Sequence, residues 1–190
     1  MKKPMHVAAV LMVSLFFVAG CALQMKPRPS SGAIASIGTS KIAQKASVVI
    51  SDKDLALEQS VHFGLVGYMS PVNVKVGETL KVYSEEYFGT IFSEVAFGNP
   101  PAENIAVVFE INDFDISAVG KAAHLELKMV INDKSNKQLH EKTYSADGKS
   151  HGPIYLSSGT QQLQVQETTQ EAFQKVFDEI SKDIKAITFR

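Results

Sequence analysis

From Gly77 onward, Leu80, Tyr83, Tyr87, Phe88, Ile91, Phe92 and Val95 recur at spacings of three and four, which places one apolar stripe on a helix predicted to end near Phe97-Gly98. An aromatic stripe of this kind reads as core rather than as a ligand site. After Gly98-Asn-Pro-Pro101 the period changes to two. Ile105, Val107, Phe109 and Ile111 share one side of a predicted strand over 105–111. In 123–131 the residues Ala123, Leu125, Leu127, Met129 and Ile131 face one way, while His124, Glu126, Lys128 and Val130 face the other. Such alternation marks a sheet with one face on the core and one in water. Asn132-Asp-Lys-Ser-Asn136 is turn chemistry, and Gln138 to Ala146 returns as the hairpin partner.

The remaining segments are read from the same periods. Ala46–Ser51 predicts a short strand, and 52–76 predicts strands joined by irregular turns at Gly64, Gly67 and Pro71. Residues 147–160 predict a loop. A closing helix buries Phe173, Val176, Phe177, Ile180, Ile184 and Ile187, with Thr168-x-x-Glu171 as its capping box. Two one-sided helices and a one-sided sheet predict a two-layer α+β fold. Its expected form is an antiparallel or mixed sheet of about four strands, with both helices packed on one face.

At the N-terminus the pattern is of another kind. Lys2 and Lys3 precede an unbroken run of apolar and small residues, Val7 to Gly20, which has the form of a secretory signal. A helical span needs roughly 20 apolar residues, more than this run offers. It ends in Val18-Ala19-Gly20-Cys21, and Cys21 is the single cysteine of the 190 residues. This stretch resembles the lipobox of bacterial lipoproteins, and the resemblance implies that Cys21 is a lipid attachment point and that the bond between Gly20 and Cys21 is the cleavage site. Residues 1–20 are then a signal peptide, 21–44 a lipidated N-terminus and flexible tether, and 45–190 a single domain. The tether reading rests on MKPRPSSGAIASIGTSKIAQ, where each proline pushes its predecessor into an extended conformation. A segment of small residues that orders on a partner is the alternative.

Removing residues 1–20 takes two lysines and no acid, leaving 17 basic against 20 acidic residues and a formal charge of −3. That balance lacks the basic clustering of a nucleic-acid footprint. Candidate chemistry is sparse. Gly148-Lys149-Ser150 ends like a phosphate loop, but Thr143 stands where its first glycine belongs. Asn112-Asp113-Phe114-Asp115 has the acids of a calcium loop, but its sixth position is Ala118 and its twelfth His124, so a bulge or turn is the reading. Among His62, His124, His140 and His151 no metal-ligand spacing emerges, and no nucleophile elbow is present, so neither a metal nor a cofactor is expected. The candidate interaction face is the wet side of the hairpin: His124, Glu126 and Lys128 on one strand, His140 and Lys142 on the next.

In order of features (lipobox, extended segment, GETL-type helix, hairpin, and the helix TTQEAFQKVFDEISKDIKAI) the chain resembles small outer-membrane lipoproteins of Gram-negative bacteria. It is similar to the YajG-like lipoproteins and, more distantly, to the lipopolysaccharide-assembly lipoprotein that plugs a β-barrel. The resemblance implies an outer-membrane, periplasm-facing location, because Ala22 stands where an aspartate would retain the protein at the inner membrane. It also implies an envelope protein partner. An interaction module in envelope assembly or transport is the leading expectation. A lipid- or glycan-binding carrier, with its ligand between sheet and helices, and a peptidoglycan-acting enzyme are the alternatives.

Overall fold

The computed structural model describes residues 23–37, 41–62, 71–99, 101, 104–117, 122–150 and 158–189. The elements are β1 (Leu23–Met25), α1 (Ser31–Ser36), β2 (Ile42–Ile50), α2 (Asp52–Leu55), β3 (Glu58–Val61), β4 (Val72–Lys75), α3 (Val76–Ile91), β5 (Phe92–Phe97), β6 (Ile105–Ile116), β7 (Ala122–Asn132), β8 (Gln138–Lys149) and α4 (Ser158–Ala186). The fold is mixed α+β with two sheets, not one of about four strands. Five strands run in the order β5-β2-β6-β7-β8, and a smaller sheet has the order β1-β4-β3. In the larger sheet β2 is parallel to both β5 and β6, and the β6-β7-β8 meander is antiparallel.

Helices α3 and α4 cover one face of the larger sheet. Phe109 of β6 packs 5.8 Å from the ring of Phe88 on α3 and 5.9 Å from that of Phe177 on α4. Tyr83 of α3 meets Phe173 of α4 at 5.2 Å. The predicted stripes are buried except for Val95 and Ile187, which are partly buried, Ile187 lying just past the end of α4, and the aromatic rings fill the space between helices and sheet.

Helix α3 stops at Ile91, about six residues before its predicted end near Phe97-Gly98. The Phe92 amide makes the last helical bond, to Phe88 O, and the chain then turns extended (φ −99°, ψ 157°). Phe92 to Phe97 become β5, paired with β2 from Ile42 to Val48. Phe92 is buried in either geometry, so spacing alone does not separate the two. Backbone pairing with β2 decides it.

In β6 the acidic cluster is a bulge inside one long strand. The register against β7 shifts between Ile111 and Asp113. The inward side changes accordingly, from Ile105, Val107, Phe109 and Ile111 to Phe114 and Ile116, all buried. One extra residue in the strand reverses which side each later residue faces.

Helix α4 begins at Ser158, ten residues before the predicted capping box. Thr168 is a buried mid-helix residue whose Oγ1 donates to Val165 O at 3.1 Å. Glu171 instead accepts from the Lys149 amide at 2.7 Å, at the end of β8. The residues called a loop from 147 therefore lie partly in β8, and 151–157 fall outside the described residues. Gly148 explains why β8 and α4 approach so closely: a Cβ there would sit 1.8 Å from Thr168 O. Gly77 plays the same part where α2 crosses α3, since its Cβ would lie 2.0 Å from Asp54 O. Helix α2 itself follows from Ser51, whose Oγ accepts from the Asp54 amide at 3.0 Å and donates to Asp54 Oδ2 at 2.8 Å.

The stretch read as a tether is, over 23–37, a strap along α4. Leu23–Met25 pair with Val72–Val74 as β1, and Met25, Ala33 and Ile37 are buried. Ser30 Oγ donates to Gln174 Oε1 at 3.4 Å, and Lys185 Nζ donates to Ile37 O, so the strap ascends α4 in the helix's own direction. Lys26 anchors its start on Glu78 at 2.7 Å. Residues 26–29, with their two prolines, have no regular structure, but irregular is not detached: Met25 before the prolines and Ala33 and Ile37 after them are buried.

Candidate functional site

Strand pairing divides the five candidate face residues between two sides of the sheet. Lys142 lies opposite Met129, and His140 opposite Ile131, so both share the side of β7 that is buried beneath α4. His124, Glu126 and Lys128 are on the outward side. The predicted single wet face is corrected to two surfaces, because β8 places polar residues on the core side at its edge, where α4 meets them.

The outward surface is a lattice of paired charges. His124 Nδ1 lies 2.7 Å from Asp147 Oδ1, Lys128 Nζ is 2.7 Å from Glu141 Oε1, and Asn112 donates to Glu126 Oε1 at 2.9 Å. The His124 pKa is raised above its ordinary value by the bond to Asp147, and the Asp147 carboxyl is lowered by the same bond. Likewise the Lys128 bond holds Glu141 low. Register causes the first pairing, since His124 and Asp147 are direct cross-strand neighbours.

The inner surface is a connected network at the β8–α4 seam. Lys142 Nζ reaches Glu179 Oε1 at 2.7 Å and Asp183 Oδ2 at 2.8 Å, and it stands 4.6 Å from the Tyr144 ring centre. Tyr144 OH donates to Asp183 Oδ2 at 2.9 Å, and His140 Nε2 lies 3.0 Å from that hydroxyl. With the tyrosine proton directed at Asp183, His140 Nε2 is the donor in the last bond. Burial, and then the bond to Asp183, push the Tyr144 pKa far up. Burial also works to raise Asp183, but its bonds from Lys142 and Tyr144 outweigh that and lower it. Lys142 is raised by Asp183 and Glu179. These shifts keep tyrosine and lysine protonated, the reverse of what a nucleophile or general base requires. The network clamps α4 to the hairpin.

Sequence reasoning missed Tyr144, Glu179 and Asp183 as members. The signal was present: 140, 142 and 144 alternate onto one side of a strand, and Glu179 and Asp183 stand four apart on a helix. Nothing local says that these two faces meet. Beside this seam, an open groove of about 460 Å³ lies between α4 and the end of β8, lined by the long side chains of Lys149, Glu167, Gln170, Glu171, Gln174 and Lys175, much of whose exposed area there is aliphatic. Among the described residues no group of three His, Cys, Asp or Glu stands together as a metal site. No described helix is long and apolar enough to cross a membrane. Val18, Ala19, Gly20 and Cys21 lie outside the described residues, which begin at Leu23.

No protein family matches the chain, and no curated protein does. Solved structures match it only at low similarity. A DUF330 protein from Xanthomonas campestris is 11% identical with a TM-score of 0.45, covering 86% of this chain and 90% of its own. PelC, a dodecamer from Paraburkholderia phytofirmans, is 12% identical with a TM-score of 0.42, covering 76% of this chain and 94% of its own. A minor lipoprotein from Acinetobacter baumannii is 14% identical with a TM-score of 0.35, covering 75% and 93%.

Proposed function

We propose that the chain is an envelope lipoprotein held at the outer membrane through acylated Cys21, whose domain serves as a non-enzymatic interaction module in envelope assembly or transport. The anchor rests on Val18-Ala19-Gly20-Cys21 after a short apolar run. Acyl chains contribute about 0.8 kcal/mol per buried CH₂, so two or more hold a domain firmly.

The observation that carries the binding role is the place of β8. Among the described residues it is the last strand of its sheet, 12 residues long, and pairs along one edge only, with β7. A free edge accepts an extended segment of a partner through main-chain hydrogen bonds. Exposed Glu141, Thr143, Ser145 and Asp147 on its outward side supply the side-chain contacts. Charges at an edge also discourage pairing with other copies of the same strand. The groove beside α4 favours a second reading, a glycan-binding carrier, because its amides and carboxylates can bond hydroxyl groups, its aliphatic side-chain stems can pack on sugar faces, and the space between sheet and helices is filled by aromatic rings.

Two measurements test the proposal. Cys21→Ser is expected to abolish labelling by a fatty-acid analogue, because a hydroxyl is a far weaker nucleophile than a thiolate; a serine variant that still labels removes the anchor. Thr143→Arg with Ser145→Arg is expected to leave the circular dichroism unchanged while losing complementation of detergent sensitivity in a deletion strain. Full complementation by that variant sinks the β8 reading and leaves the groove.

A further inference from the structure

Leu163 is 58% exposed, the most open large apolar side chain among the described residues. It stands in the first two turns of α4, where residues 158–166 (SGTQQLQVQ) carry no charge at all. The rest of that helix, by contrast, carries eight charged side chains from Glu167 to Lys185. An uncharged helix end can enter an interface without burying a charge, and a protruding leucine adds apolar area to it.

Its neighbour identifies what covers it. Leu163, Gln162 and Gln166 share a groove of about 320 Å³ with Gln24, Met25 and Lys26 of the strap. Leu23, the first residue of that strap, is fixed to Val72 by strand pairing. Cys21 is two residues earlier, and two residues of extended chain span only about 7 Å. A lipid-bearing cysteine so close to a docked strand brings the bilayer to this end of the domain. The groove's one charged residue is Lys26, which is paired with Glu78 at 2.7 Å, and amides surround the leucine, so no unpaired carboxylate lines the groove.

We propose that this end of the domain, with Leu163 as its tip, lies directly against the phospholipid surface, Leu163 entering the upper acyl region and Gln24, Gln162 and Gln166 meeting the headgroups. The proposal rests on acylation of Cys21. It fixes the orientation of the domain: α4 rises from the membrane at Leu163, the strap climbs with it, and the C-terminal end of the helix is held away. Lys182, exposed on the same helix, is 19 residues further on and so about 28 Å from Leu163 along the axis.

The test uses the full chain expressed in a Gram-negative host and reconstituted into vesicles of phosphatidylethanolamine and phosphatidylglycerol containing brominated acyl chains. Because acylation blocks Cys21, Leu163→Cys and Lys182→Cys each supply one reactive thiol for the fluorophore nitrobenzoxadiazole, and both sites are exposed, so folding is preserved. Quenching at 163 is expected to exceed that at 182 several-fold. Equal quenching, or stronger quenching at 182, in protein whose mass shows the acyl groups overturns the apposition and leaves the anchor intact. A mature mass without acyl groups overturns the anchor and the apposition together.

Discussion

Truncating Phe177 tests the core on which both candidate surfaces rest. Its ring is fully buried and touches Tyr83, Tyr87, Phe88 and Phe109, at centroid distances of 5.5, 5.3, 6.2 and 5.9 Å. It is therefore the point where α3, α4 and the sheet meet. Burying such a side chain contributes about 1.5–3 kcal/mol, and the four ring contacts add to it, as aromatic pairs exceed their area by about 0.5–1.5 kcal/mol each. The cavity left by Phe177→Ala is walled by three elements that cannot all move inward, which places the loss at about 4 kcal/mol, within the usual range for such truncations. For a domain of this size about 1 kcal/mol moves Tm by roughly 2–4 °C, so a fall of roughly 8–16 °C is expected. Protein lacking residues 1–21 is melted by circular dichroism, with Lys182→Ala, an exposed position on the same helix, as the control expected to stay within about 0.5 kcal/mol of the parent. If the two variants melt within a degree or two of each other, the junction has been assigned to the wrong residue.

Gly148→Ala is expected to lower stability by several kcal/mol, because its Cβ would enter the backbone of α4 at Thr168, whereas Gly89→Ala, in α3 with nothing within 4 Å, should stabilise by about 0.5–1 kcal/mol; urea midpoints at constant slope separate the two. Glu78 is held at about 2, first by the bond from Lys26 and then by that from Lys75. A lowered carboxyl stabilises the fold above its ordinary value near 4.5 and loses that contribution as pH falls toward 2. Glu78→Gln should therefore be less stable than the parent at neutral pH, by an amount that solvent screening keeps small, and the difference should close between pH 4.5 and 2 in acid titrations. A gap that widens with acid contradicts the role given to Lys26 in holding the strap.

What was legible in the chain was whatever a single segment decides by itself. The inward residues of β7 follow from a period of two, and those of α3 and the latter part of α4 from a period of 3.6, because each face is written in consecutive residues. The bulge at Asn112 was also legible, since acids and asparagine interrupt an apolar alternation there. The rest depended on what lay opposite. Phe92 to Phe97 fit a helix as well as a strand, and only the open edge of β2 chose the strand. Thr168 had the sequence of a helix start, yet the helix continued backwards through ten residues, all but Glu167 uncharged, that carry no apolar stripe to announce it. His140 and Lys142 look like solvent-facing residues until α4 brings Glu179 and Asp183 to them. The strap looks like a linker until the groove that receives Met25, Ala33 and Ile37 exists. Periodicity records which way a side chain points relative to its own backbone, and tertiary structure decides what it meets: the seam network, the place of β8 at the end of its sheet among the described residues, and the place of Leu163 beside the strap all depend on residues far apart in the chain.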